Sequence, residues 1–372
     1  MPEYDIVIAG GGPAGCSAGR TAAQQGAKVA VIEEHPEIGL PRHCSGMFAD
    51  SGFTREIREL IGDEKFVVRD LKQWRVFSPA GEVVQEFPLG DRGACIISRE
   101  RYDKELARLA ANAGADIFLN TRVTGLLRHD GRVAGVTTSS QKRPEISARL
   151  VIIAGGYHDL QNGLVKQEGM TRPEEYFGNG IQLELTRVQG MEPGVAEFYS
   201  GSLLGGGTGL GWVTFYPTDA TTCWGSLRSL AILDQIKAAD HPLSRKLRDA
   251  VPLKITGFIC PFPMGRGLPR YVRDGLMVIG SAANFNGSIV AFITGRWAGE
   301  VAAEAVRDGD VSEARLQRYV DKFREIDLEH EYDYWQEFLP KARALSDAAL
   351  DELMRDMARK GQKIMTRVQL PF

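Results

Sequence analysis

The sequence contains no run of about 18 apolar residues, so no segment reads as a helix that spans a bilayer, while peripheral contact with a membrane through an apolar patch stays open. It has only five cysteines, Cys16, Cys44, Cys95, Cys223 and Cys260, and no C-x-x-C pair. That odd and scattered set gives neither a disulfide frame nor a zinc or iron–sulfur site, and no metal is expected. A charge excess is also missing: 45 Lys and Arg against 48 Asp and Glu leave a net charge of −3, with both signs mixed along the chain. Without a basic stripe, nucleic acid is not an expected partner. The opening residues Met1-Pro2-Glu3-Tyr4-Asp5 are acidic and run straight into an apolar segment. They lack the basic region and apolar core of a secretory signal, and a cytoplasmic location is expected.

What the chain has is glycine in particular places. At 372 residues it is long enough for roughly two domains. The stretch Tyr4-Asp5-Ile6-Val7-Ile8-Ala9-Gly10-Gly11-Gly12-Pro13-Ala14-Gly15 reads as a buried strand, a glycine turn and the start of a helix. Gly10 allows the tight turn, Gly12 admits a pyrophosphate to the backbone, and Gly15 lets the helix pack on the strand. The helix start, where Pro13 has no N–H to leave unpaired, offers unpaired N–H groups from Ala14 onward and the positive end of a dipole. The helix runs to about Gln25, and the next apolar run, Lys28 to Ile32, stops at Glu33, a carboxylate placed to take both hydroxyls of an adenosine ribose. Glu34 is the alternative acid. Strand, turn, helix and acid together make a dinucleotide-binding unit, which the glycine pattern alone does not.

Beyond Glu33, residues 35–46 are rich in Pro and Gly and form a loop at the carboxyl end of the second strand, the edge where open α/β sheets hold ligands. Arg42 can pair there with a phosphate or ribose, and Cys44 can reach a reacting ring; a solvated Arg and a small buried thiol are the plain alternatives. Residues 73–89 read as a hairpin, Trp74 to Phe77 and Glu82 to Phe87, inserted into the α/β region. Ser98 caps an amphipathic helix that begins with Arg99, where a cation either points to solvent or meets an anion. A second hairpin spans residues 121–138, and Ala148 to Ala154 reads as a central strand returning to the first sheet. Residues 174–228 are strand-rich, as expected of a second, antiparallel domain. Leu276 to Ala283 repeats the opening pattern and leads through Asn284 and Gly287 into a helix from Ile289 to about Arg307, a second cofactor contact. The tail from Ser312 to about Lys363 reads as helical and charged, with Trp335 and Phe338 available for docking.

In this order the pieces resemble the FAD-dependent geranylgeranyl reductases, relatives of the aromatic hydroxylases of para-hydroxybenzoate hydroxylase type. The resemblance covers residues 4–305. It rests on Gly10 to Gly15 with Glu33, on Pro41-Arg42-His43-Cys44-Ser45-Gly46, and on Arg99 to Asp103. Gly211-Trp212 with Phe215-Tyr216-Pro217, and Gly280-Ser281-Ala282-Ala283 followed by Gly295-Arg296-Trp297-Ala298-Gly299-Glu300, complete it. It implies an α/β fold: a Rossmann-like FAD-binding domain (1–72 with 90–160 and 255–308), an inserted antiparallel substrate domain (73–89 with 161–254), and a helical C-terminal region (309–372). It also implies FAD as cofactor, with Glu33 on the ribose, Arg99 near the flavin phosphates, and Gly280, Ser281, Ala282 and Asn284 near the ribityl chain and pyrophosphate. Cys44 would stand beside the flavin, and Trp212, Phe215, Tyr216 and Pro217 would line an apolar pocket; core packing is the plain alternative for these aromatics.

Two positions depart from the family pattern. Ser281 stands where the family usually has Asp, exchanging a charge-assisted hydrogen bond for a neutral one of roughly half the strength. Ala154-Gly155-Gly156 stands where the family usually has Ala-Asp-Gly. That aspartate is associated with the nicotinamide donor as well as FAD, so NADPH and a redox protein both stay open as electron donors. The activity implied is reduction of a carbon–carbon double bond in an apolar, isoprenoid or polyene-like substrate, with hydride from reduced flavin and a proton from Cys44 or from a water held by Tyr216. A flavin monooxygenase or halogenase uses the same fold, and a flavin-binding protein without redox activity would explain the missing aspartates.

Overall fold

The computed structural model describes residues 2–44, 46–91, 93–171, 176–205, 211–262, 267–326 and 344–362, without the side chains of 176–178, 212 and 260–262. Trp335 and Phe338 lie outside the described residues.

The chain opens with strand β1 (Tyr4–Ala9), helix α1 (Pro13–Gln24) and strand β2 (Val29–Ile32). Both strands are apolar runs buried on both faces, as a parallel sheet covered by helices requires. β1 pairs in parallel with β2 on one side and with Glu145–Ile153 on the other, and Leu276–Val278 follows in parallel beyond. The register places Ala9, Ile32, Ile153 and Val278 side by side, so four strands end in one line. One step beyond that line stand Gly10, Glu33, Ala154 and Ile279. The return of the Ala148–Ala154 run to the first sheet, expected from its composition, is what the pairing has.

α1 packs on the long helix Ser288–Asp308 at very short range. A Cβ on Gly295 would overlap the Ala14 carbonyl oxygen, and one on Gly299 would lie 2.5 Å from that of Ala18. Ser17 Oγ donates to the Phe292 carbonyl at 2.8 Å in the same contact. The glycines of the Gly295 to Glu300 motif are therefore packing residues that fix the two helix starts relative to each other.

A seven-stranded sheet forms the second layer, in the order Val251–Phe262, Tyr176–Thr186, Thr222–Leu227, Gly211–Pro217, Val195–Gly201, Gln73–Phe77, Val83–Pro88. The expected hairpin at 73–89 is its far edge. The expected boundary at 254/255 falls inside Val251–Phe262, which belongs to this sheet along its whole length. Alternation splits the strands between two faces. One face carries Phe77, Leu183, Leu185, Tyr199, Phe215 and Cys223 beneath helices Leu230–Ala238 and Pro242–Leu247. The other carries Trp74, Ala196, Tyr216 and Trp224, packed against Ile96, Ala94 and Met47. Those partners come from a three-stranded sheet, Met47–Phe48, Val67–Asp70 and Cys95–Ile97, that joins the two layers. Of the expected helical tail, Glu313–Arg324 and Asp347–Arg359 are described.

Candidate active site

The line of strand ends is the cradle. Gly10 has φ +112°, and a Cβ there would sit 2.6 Å from the Ala154 oxygen, so only glycine fits. Gly12 has the opposite environment, with nothing within 4 Å of where a Cβ would stand, which leaves open space over the first turn of α1. Pro13 opens that helix and Gly15 lies against the Gly10 carbonyl, as the strand-turn-helix reading expected. Glu33 ties the turn down: Oε2 accepts the Gly11 N–H at 2.8 Å, and Oε1 accepts the His35 N–H at 3.0 Å. Glu34 instead faces outward to Arg122 at 2.7 Å.

The second contact lies at the start of the Ser288–Asp308 helix. Gly280, Ser281 and Ala282 form a short turn, and Asn284 follows with φ +63°. Asn284 is buried, and its Oδ1 has no hydrogen-bond partner among the described residues. A buried orphan acceptor is stabilised by gaining a donor, and a ribityl hydroxyl or flavin N–H is a donor of the right kind. Gly287 also faces open space. Two helix starts with open glycines and an unsatisfied buried acceptor fit FAD.

Arg99 joins these parts. Its Nε and Nη2 donate to the two oxygens of Asp103 at 2.9 and 2.8 Å, and Nη1 donates to Ser288 Oγ at 2.8 Å. Burial opposes its charge, but the Asp103 carboxylate outweighs it, so the guanidinium pKa is raised. The donors of Arg99 are thus directed at protein groups, Asp103 of its own motif and Ser288 at the start of the second contact helix; the sequence marks both motifs, and only the fold joins them.

The 35–46 loop crosses from cradle to second sheet. Arg42, expected to meet a phosphate or ribose, is 3% exposed and stacks on Trp224 at 4.4 Å, with Glu184 3.9 Å away. Cys44 is half-buried, and its sulfur accepts the Gly46 N–H at 3.3 Å. A Cβ on Gly46 would lie 3.4 Å from the Trp224 ring, so the cysteine turn lies close to that wall. Burial pushes the Cys95 thiol up to about 12 and raises Cys16 and Cys223 further.

The expected aromatic wall divides. Tyr216 lies on the inner face, edge-on to Trp74 at 6.2 Å, and Pro217 ends the strand, buried. Phe215 points the other way, fully buried beside Tyr199 at 6.2 Å, because adjacent strand residues take opposite faces. It is a core residue of the outer face and does not share a surface with Tyr216. The side chain of Trp212 lies outside the described residues. Trp224, which sequence reasoning missed, occupies the inner face instead, paired in register with both Glu184 and Tyr216.

A pyrophosphate cradle at aligned strand ends, a second helix start with an orphan acceptor, and a cysteine turn between the sheets define an FAD-dependent oxidoreductase. A family model for FAD dependent oxidoreductases matches residues 5–161. Over 338 residues the chain is 31% identical to a digeranylgeranylglycerophospholipid reductase of Methanocella arvoryzae, covering 87% of this chain and 83% of that protein. The chain belongs to the digeranylgeranylglycerophospholipid reductase family. Among solved structures, a geranylgeranyl bacteriochlorophyll reductase-like protein of Thermoplasma acidophilum superposes with TM-score 0.84 at 23% identity, over 98% of this chain and 94% of that one. A flavin-dependent brominase shares the fold at TM-score 0.71 and 19% identity, over 96% of this chain and 94% of that one.

Proposed function

We propose that the protein reduces carbon–carbon double bonds in an isoprenoid lipid, with Cys44 placed to deliver the proton. The observation that carries this reading is the place of the cysteine turn on the loop that runs from the strand-end cradle to the inner face of the second sheet, where Arg42 of the same loop stacks on Trp224 at 4.4 Å and His43 Nδ1 meets the Gly257 carbonyl at 2.7 Å. FAD bound in the cradle supplies hydride. Everything else falls to the chain. The open first turn of α1 at Gly12 receives the pyrophosphate, and Glu33 fixes the turn beneath it. Asn284 Oδ1 accepts a hydrogen bond from the flavin side. Arg99, paired with Asp103 of its own helix, ties the start of the Arg99–Asn112 helix to the start of the Ser288–Asp308 helix through Ser288, so the second cofactor contact keeps its geometry.

Trp224, Tyr216 and Trp74 form the apolar inner wall against which a polyene chain lies, and their packing on Ile96 and Met47 keeps that side dry. The thiol of Cys44 would donate the proton that completes the reduced carbon–carbon bond, and the thiolate left behind would regain a proton from water. Either NADPH or a redox protein supplies the electrons.

The test separates the two half-reactions. Cys44→Ser is expected to leave flavin reduction unchanged while turnover of an isoprenoid alkene falls at least about tenfold, as for removal of a general acid. Unchanged turnover in this variant would remove the thiol from the mechanism. Product-coupled oxygen uptake, in place of anaerobic turnover, would move the protein to the monooxygenase and halogenase class.

A further inference from the structure

The two edges of the seven-stranded sheet are treated differently. At the Val83–Pro88 edge, helix Asp347–Arg359 brings Leu350 and Met354 onto Val76, with Val84 and Phe87 alongside, and Gln85 Nε2 donates to the Gln362 carbonyl at 3.0 Å. At the opposite edge, Val251, Leu253 and Ile255 are 40%, 61% and 46% exposed; a bulge at Leu253 leaves Val251 opposite Thr186 and Ile255 opposite Leu183, so the three form an exposed aliphatic row along the edge strand that projects to both of its faces. Arg248 lies three positions before the row, and Arg187 follows Thr186, the register partner of Val251. Arg187, Arg245 and Arg248 are all exposed and hold no ion pair among the described residues, while Asp249 is engaged by Gln189 at 3.0 Å.

We propose that this edge strand is the face with which the protein sits on an anionic lipid bilayer. The proposal rests on the reading that the substrate is a membrane isoprenoid. An aliphatic row bordered by unpaired arginines has the two attractions that hold a protein at such a surface, shallow apolar insertion and attraction to anionic headgroups. The same strand also reaches the candidate site: Thr256 Oγ1 donates to the Arg42 carbonyl at 2.5 Å, and His43 Nδ1 meets the Gly257 carbonyl at 2.7 Å. Residues one and two places beyond Ile255 therefore hold the cysteine loop, so a lipid leaving the bilayer at this edge has a short path to the site. The bond from His43 also occupies the Gly257 carbonyl at the strand's edge, which disfavours extension of the sheet by a second copy there.

The test is flotation of the flavin-loaded protein with vesicles of phosphatidylglycerol and phosphatidylcholine in equal parts, beside vesicles of phosphatidylcholine alone. The wild type is expected to float with the anionic vesicles and to be released by salt. The V251Q/L253Q/I255Q variant is expected to partition at least about tenfold more weakly, with unchanged turnover of detergent-dispersed substrate. Leu353→Gln, on the helix covering the other edge, is the control expected to float like wild type. The proposal is overturned by a wild type that stays out of both vesicles, by a triple variant that floats undiminished, or by an equal loss in the control. It is equally overturned if sedimentation finds a wild-type dimer that the triple variant dissolves, which would make the face a contact between copies. Failure to reduce an isoprenoid in detergent would refute the proposed activity, and flotation reads the surface separately.

Discussion

In the parallel sheet the chemistry sits at strand ends, whereas in the antiparallel sheet it sits on one of two faces. Four strands ending at Ala9, Ile32, Ile153 and Val278 present Gly10, Glu33, Ala154 and Ile279 to the same ligand edge, and every strand between is core. The second sheet divides neighbours along a strand: Tyr216 lies on the inner face with Trp74 and Trp224 while Phe215 is sealed under helices. A substitution in the first sheet is thus read by its distance from the strand end, and in the second by its parity.

The largest expected effect tests the sealed face. Glu197 is fully buried there, accepting Tyr199 Oη at 2.7 Å and Lys246 Nζ at 2.7 and 2.8 Å. Lys246→Met removes the hydrogen-bonded cation of that carboxylate and leaves it only Arg75, 3.9 Å away, and urea denaturation should register a loss approaching about 3–5 kcal/mol. Glu197→Gln combined with Lys246→Met should recover much of it. Flavin affinity measured on the folded fraction should not move; if it falls, the two faces are not independent.

Within the cradle, two glycines of the same turn, Gly10 and Gly12, sharpen the strand-end rule. Gly10→Ala must adopt φ +112° and press a methyl on the Ala154 carbonyl, so thermal unfolding should report a loss of about 1–3 kcal/mol. Gly12→Ala enters open space in an extended conformation, and stability should change by only a few tenths of a kcal/mol. The methyl instead occupies the approach to the first turn of α1, and FAD affinity by flavin fluorescence should fall at least about tenfold, or about 1.4 kcal/mol. Equal flavin binding by Gly12→Ala and wild type would displace the pyrophosphate from that turn.

The parallel half was largely legible because its rules are local. A strand, a glycine turn, a helix and an acid lie within thirty residues, and their order alone places Gly10, Gly12 and Glu33. The antiparallel half depends on register between strands far apart in sequence. Phe215 and Tyr216 read alike as aromatics, and only pairing with Thr222–Leu227 and Val195–Gly201 shows which one turns inward. Trp224 gave no signal for the same reason. Arg42 was visible as an unusual loop cation, but its partners, Trp224 and Glu184, come from strands more than 140 residues away. The Gly295 to Glu300 motif was legible only as a likeness; the reason for its glycines, backbone contact with Ala14 and Ala18, needed both helices in place.

The smallest expected effect lies where the helical cover of the sealed face meets the edge hairpin. His241 caps helix Pro242–Leu247, its Nδ1 accepting the Leu243 N–H at 3.1 Å, while Nε2 lies 3.1 Å from the Pro79 carbonyl. The neutral ring with its proton on Nε2 satisfies both contacts, and a proton on Nδ1 breaks the cap. Burial lowers the His241 pKa below its ordinary 6.5, against weaker raising effects of Pro79 and Asp347. The unfolded chain therefore takes up the proton first. The contribution of His241 is complete above about pH 6.5 and is lost as pH falls through the depressed folded value. The loss should not exceed the worth of one helix cap, about 0.5–1 kcal/mol. His241→Asn keeps a capping oxygen and removes the titration, so the difference in urea midpoint between wild type and variant should change between pH 7.5 and pH 5.5. A difference that stays constant would mean that the ring does not titrate against its cap.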